Sequence, residues 1–303
     1  LDSKPDVLIS DGFMQWTYAA LAVRALKRIP HVMCYERTAH TERNAGRLRI
    51  WYRKIVSRWI DAIDCNGILC GEYVRSLGFD SKRLTFGHMV ADISGMSRTI
   101  QNIANEDIVK VKKELKIPPK GLMILFVGQL IPIKGVDQLL TAWKQFKSHC
   151  KENCTLVYVG YGRLEQPLRD RIVNEKIQDV ILIGGIDYDS IAQYYKAADC
   201  FILPTVEDNW SLVVPEAMAC GLPVATTIYN GCHPELITKE NGWVFDTYNE
   251  QSIIDTLQNI VNNKERLKEM GEVSKRIVSK HTAERAAQSI MAAIDIAQKH
   301  CKK

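Results

Sequence analysis

Pro204-Thr-Val-Glu-Asp-Asn-Trp-Ser-Leu-Val-Val-Pro-Glu-Ala-Met-Ala-Cys-Gly-Leu-Pro-Val224 joins the end of an apolar run to a helix through a polar loop that carries carboxylates. Asp208 and Glu216 stand with seven residues between them. Pro215 has no amide hydrogen and fits a helix only in its first turn, which predicts a helix starting within a few residues before it. Ser211 is a candidate N-cap. The amides of Ser211, Leu212 and Val213 would then lie at the positive helix end, where they can meet an anion without a metal. Glu216, one turn in, can accept hydrogen bonds from hydroxyls.

Outward from this stretch, from residue 118 on, short apolar runs of strand length alternate with amphipathic segments of helix length. The runs cover 122–127, 155–159, 180–183, 200–203 and 223–226. They are continuously apolar, as parallel strands covered by helices on both faces must be, which predicts a doubly wound sheet. Ligands of such sheets bind beyond the carboxyl ends of the strands. Those positions hold Gly128-Gln129, Gly160-Tyr-Gly162, Gly184-Gly185 and Pro204-Thr205. Residues 5–87 predict a second α/β region, with strands near Val7, Val32, Ile68 and Leu84 and helices over 15–28, 45–62 and 71–77. The polar segment 88–106 is the candidate linker, and 284–303 a terminal helix. The expected domains are therefore 1–98, 99–283 and the helix 284–303. Four strands in the first, where a Rossmann-like half usually has six or more, predict that βα units upstream of Leu1 are missing.

The quoted stretch resembles the retaining family-4 (group 1) glycosyltransferases of the GT-B architecture. Three further segments match that family in order: Phe126-Val-Gly-Gln-Leu-Ile-Pro-Ile-Lys-Gly135, Val159-Gly-Tyr-Gly-Arg163 and Ala197-Ala-Asp-Cys-Phe-Ile-Leu-Pro204. The resemblance covers 120–245 strongly. It implies an α/β fold of two Rossmann-like domains facing across a cleft, the first incomplete, and transfer of a sugar from a UDP- or GDP-sugar donor to a glycan or lipid-linked acceptor. It also implies that Glu216 holds the donor ribose, Asp208 the hydroxyls of the transferred sugar and Lys134 the diphosphate, with Gly128 also in the donor-binding set. Ile186 falls where the family's backbone contacts the base. Gln129 stands where the family commonly has arginine, so either Lys134 carries more of the phosphate charge or Arg163 reaches in. The first carboxylate is usually Glu, which leaves Glu207 as the rival of Asp208. His40 either lines the cleft or is an ordinary loop histidine. His233-Pro-Glu235 resembles the family's loop before a short helix. No cofactor and no metal are implied, because a fixed cation and helix-end amides can stabilise the departing diphosphate.

Composition agrees with a globular chain of 303 residues, 46% apolar and 25% charged, with no run long enough to span a bilayer. A formal charge of +5 gives no case for a nucleic-acid partner. Nine cysteines, an odd number scattered in apolar stretches, predict reduced core thiols and a cytoplasmic compartment. One segment concentrates cations. Residues 43–62 carry Arg43, Arg47, Arg49, Arg53, Lys54 and Arg58 among Leu48, Trp51, Tyr52, Ile55 and Trp59. Such a helix either lies on the inner face of an anionic membrane or packs Trp51, Ile55 and Trp59 into the core behind a solvated basic face. A GT-B nucleotide-sugar epimerase and a non-catalytic nucleotide-sugar-binding module are the competing functions, the latter suggested by Gln129.

Overall fold

The computed structural model describes residues 5–301. It divides into two units, one running to Val90 and resuming at His281, the other Ala91–Lys280. The first unit contains β1 (Leu8–Asp11), α1 (Gln15–Lys27), β2 (His31–Tyr35), α2 (Arg47–Val56), β3 (Ala62–Cys65), α3 (Ile68–Ser76) and β4 (Leu84–Phe86). The second contains α4 (Ile93–Asn102), α5 (Asn105–Glu114), β5 (Leu122–Val127), α6 (Val136–His149), β6 (Cys154–Val159), α7 (Glu165–Asn174), β7 (Val180–Gly184) and α8 (Tyr188–Ala197). It continues through β8 (Cys200–Leu203), α9 (Val213–Ala219), β9 (Val224–Thr227), α10 (His233–Leu236), β10 (Gly242–Phe245), α11 (Glu250–Asn262) and α12 (Leu267–Val278). The terminal α13 (Ala283–Cys301) returns to the first unit.

In the second unit all strand pairs are parallel, in the order β10-β9-β8-β5-β6-β7. This is a doubly wound nucleotide-binding sheet whose direction of winding reverses between β5 and β8. Helices cover it by burying one stripe each. Val136, Leu139, Leu140, Trp143 and Phe146 of α6 are buried at helical spacing, and the Trp143 indole donates to Gln178 O at 3.0 Å. β5, β6, β8 and β9 are buried along almost their whole length, which is why their sequences do not alternate.

Among the described residues the first unit holds four parallel strands in the order β1-β2-β3-β4. α13 lies on them through Ala286, Ser289, Ala293 and Ala297, a small-residue stripe that lets the helix approach Val32 and Ala62 closely. Ser289 donates to the buried Asp64 at 2.9 Å, and His300 reaches Asp61 at 2.9 Å.

Several expectations are corrected. The strand placed near Ile68 is β3, because Asp64 interrupts the apolar run but is buried under α13, while Ile68 opens α3. The segment 88–106 is not a linker: Ile93 and Met96 are buried on α4, which packs against α8 and α9. The division consequently falls before α4 and not at residue 98, and α13 belongs to the first sheet and is no separate element. The sixth strand, β10, escaped notice because an edge strand with Trp243 and Val244 only partly covered is not a continuous apolar run. Trp51 and Trp59 are not core residues but are 62% and 55% exposed.

Candidate functional site

The loops that leave β5 and β8 meet where the winding reverses. After β5 the chain runs from Gly128 through a 3-10 turn at Pro132–Lys134 to Gly135. Gly135 sits at φ +67°, and a Cβ there would stand 1.9 Å from the carbonyl oxygen of Pro204, so only glycine permits this approach. Two hydrogen bonds lace the same loops: Val206 N donates to Ile133 O at 2.9 Å, and Thr205 Oγ1 to the same oxygen at 3.0 Å. The consequence is that Lys134 Nζ lies 2.5 Å from Asp208 Oδ2. Both side chains are only partly covered, 24% and 13% exposed. Asp208 is held from its other sides as well. Its Oδ1 accepts Trp210 N at 3.1 Å, its amide donates to Tyr229 O, and its carbonyl accepts Gly231 N at 3.0 Å.

Glu216 is buried on α9, and its Oε2 accepts the hydroxyl of Tyr195, a fully buried residue of α8, at 3.2 Å. Ser211 is buried too, yet its hydroxyl has no hydrogen-bond partner among the described residues, so it does not cap the helix as expected. The N-cap is Leu212, with no side-chain bond, and Ser211 takes part through its carbonyl, which accepts Val214 N at 3.2 Å. α9 is seven residues long, so its dipole is a smaller source of positive potential than the sequence suggested. Leu212 is exposed and Val213 half-buried.

The remaining expected residues fall at other strand ends. Gly128 follows β5 at φ +154° against the Phe126 ring, and Gln129 beside it is exposed. Arg163 follows β6, exposed and without an ion pair among the described residues, and Ile186 follows β7, half-buried. No described hydrogen bond joins either to Lys134 or Asp208. Gly160-Tyr-Gly162 is a tight turn, with the Gly160 Cα against the Gly128 carbonyl. His40 belongs to the first unit, in the turn after β2, where its carbonyl accepts Arg43 Nη1 at 2.6 Å. Burial pushes the Cys232 thiol up, which leaves it protonated and unsuited to nucleophilic work. Burial also lowers His233 below its ordinary value. Among the described residues no three His, Cys, Asp or Glu side chains gather as a metal site. Sequence reasoning missed Tyr195, which lies on a stripe of ordinary packing residues, and the structural part of Gly135, for which its place directly after Lys134 was the available signal.

The family model for glycosyl transferases group 1 matches residues 107–277, more than half of the chain. Among curated proteins, an uncharacterised glycosyltransferase of Haemophilus influenzae is 32% identical over 59% of this chain and 50% of its own length. A GDP-mannose-dependent monoacylated alpha-(1-6)-phosphatidylinositol monomannoside mannosyltransferase of Corynebacterium glutamicum is 28% identical over 55% and 45%. The chain spans about half the length of the curated relatives it matches. Among solved structures, Anabaena HepE in complex with UDP aligns with a TM-score of 0.79 at 16% identity, over 95% of this chain and 78% of that one, and shares the two-sheet α/β fold. A trehalose-6-phosphate protein from E. coli bound with UDP-2-fluoro glucose aligns with a TM-score of 0.75 at 12% identity, over 97% and 74%. With the family model spanning the sheet and both loops of the candidate site, this chain belongs to the group 1 glycosyl transferases.

Proposed function

We propose that the protein is a retaining glycosyltransferase that moves a hexosyl group from a UDP- or GDP-sugar to a glycan or lipid-linked acceptor, with no divalent metal. The observation that carries this is the contact of Lys134 with Asp208 at the reversal of the sheet, where a doubly wound fold places a nucleotide. A lysine and a carboxylate held together there form a matched pair: the ammonium can turn to a diphosphate while the freed carboxylate accepts sugar hydroxyls. Ser211 supplies a buried, unused hydroxyl in the same loop, and Glu216, fixed by Tyr195, is an acceptor for the ribose. As the sugar leaves, negative charge grows on the diphosphate, and Lys134 stabilises it in place of a metal ion. Gln129 and Arg163 are neutral and charged second candidates near the phosphates, and Ile186 and Gly128 are backbone contacts. The solved relatives in complex with UDP-glucose, and the curated relative named for GDP-mannose, support the donor class.

The test is donor turnover with UDP- and GDP-sugars in excess chelator, with the product's anomeric configuration read by proton NMR. The proposal expects an unchanged rate and retention. A rate restored only by magnesium or manganese, or an inverted product, contradicts it.

A further inference from the structure

α2 is turned the opposite way from what its aromatic spacing predicts. Its inward edge is Arg53, whose guanidinium lies 2.7 Å from Glu42 Oε2, 2.9 Å from the Tyr73 hydroxyl and 5.3 Å from the centre of the Phe13 ring. With Arg53 and Val56 buried, the opposite stripe faces outward: Leu48 is 82% exposed, Trp51 62% and Tyr52 41%. Trp59, just past the helix, is 55% exposed. α1 continues this surface. Tyr18 meets Tyr52 edge-on with ring centres 5.7 Å apart, and Trp16 is 74% exposed. Arg43, Arg47, Arg49, Lys54 and Arg58 are exposed on the same segment, whereas no acidic residue occurs between Arg43 and Ile60 or anywhere in α1.

We propose that this α1–α2 face of the first unit docks on an anionic lipid bilayer. Aromatic rings and leucine held in water on a segment whose charges are all positive match a bilayer interface, where tryptophan and tyrosine sit at headgroup level and cations meet the phosphates. Leu48 is the discriminating residue. An aliphatic side chain this exposed gives nothing to a nucleic acid but fits the acyl boundary. The five cations carry the selectivity for anionic headgroups, and the rings carry the depth of insertion. None of these residues belongs to the unit that carries Lys134 and Asp208.

The full chain is to be sedimented with phosphatidylcholine vesicles and with phosphatidylcholine vesicles containing phosphatidylglycerol, while nucleotide binding is titrated separately so that either property can fail alone. Binding is expected only to the anionic vesicles, with tryptophan emission quenched by brominated lipid. Trp51→Ala should weaken partition by about tenfold, and Arg47→Glu with Arg49→Glu by about fivefold or more per position. All three are exposed positions, so circular dichroism and the thermal midpoint should not change. Equal binding to neutral vesicles, no binding at all, or undiminished binding by the Trp51 variant would overturn the proposal. So would a concentration-dependent dimer, dissolved by Trp51→Ala, which would assign the face to a second copy. Binding to an oligonucleotide but not to vesicles would assign it to nucleic acid.

Discussion

Gly135 and Pro204 touch backbone to backbone, with room for no side chain: a Cβ on Gly135 would fall 1.9 Å from the Pro204 carbonyl oxygen. This contact locks the loop after β5 to the loop after β8 and thereby sets Lys134 on Asp208. Gly135→Ala must displace one loop and also strain a backbone at φ +67°. The expected result is a loss of roughly 2–4 kcal/mol of stability together with a raised donor KM. A variant with the native thermal midpoint and native KM would separate the two loops' positions from donor binding.

Asp208 and Glu207 are neighbours, and Asp208 pairs with Lys134 across the two loops. Asp208→Asn should therefore cut kcat/KM by about a hundredfold or more, as loss of a charged contact made to the sugar, whereas Glu207→Gln should keep most of it. Steady-state kinetics with one donor decides this. The reverse ranking would move the motif's first carboxylate to residue 207.

Tyr195 holds Glu216 from within the core, so Tyr195→Phe removes one hydroxyl without changing shape. A hydrogen bond to a buried carboxylate is worth about 1.5–3 kcal/mol. The variant should unfold earlier by that amount and show a higher donor KM at nearly constant kcat, because Glu216 loses its orientation in ground and transition states alike. An unaltered KM would leave Tyr195 a packing residue only.

The second unit was legible in the sequence because its interior strands are buried on both faces and so stand out as unbroken apolar runs, and because glycines end them where loops must approach each other. What escaped was decided by contacts distant in sequence. β3 hides the polar Asp64 under α13, more than two hundred residues away along the chain. α2 hides Arg53 and shows its tryptophans, since Glu42, Tyr73 and Phe13 form a polar and aromatic socket that no periodicity reveals. Ser211 looked like a cap because of its residue type, and the helix starts one residue beyond its reach. Lys134 and Asp208 were each singled out, but that they meet follows only from the strand order.

Acid should loosen the first unit through His31. Burial lowers this histidine to about 4, with Asp61 opposing and Arg24 assisting, and its Nε2 lies 2.8 Å from Ser10 Oγ. The unfolded chain takes up the proton near pH 6.5 and the folded one only near 4, so the stability contribution is complete above 6.5 and is lost as pH falls toward 4. Its size is on the order of 3 kcal/mol. Burial alone would raise Asp61, but the bonds from Arg24, His300 and the His31 amide outweigh it and keep that carboxylate ionised across the window. Urea unfolding at a series of pH values should show this slope, and His31→Gln should flatten it. An equal slope in the variant would place the sensitivity elsewhere.

Lys134 is the claim on which the donor site rests, and calorimetric titration of UDP and of GDP into the wild-type chain and into Lys134→Ala tests it most directly. The wild type is expected to bind one of the two nucleotides and the variant to bind it at least tenfold more weakly, a cost of about 1.4 kcal/mol or more, since Asp208 is left facing the phosphates without its partner. Equal dissociation constants in the two proteins, or no binding of either nucleotide by the folded wild type, would contradict it.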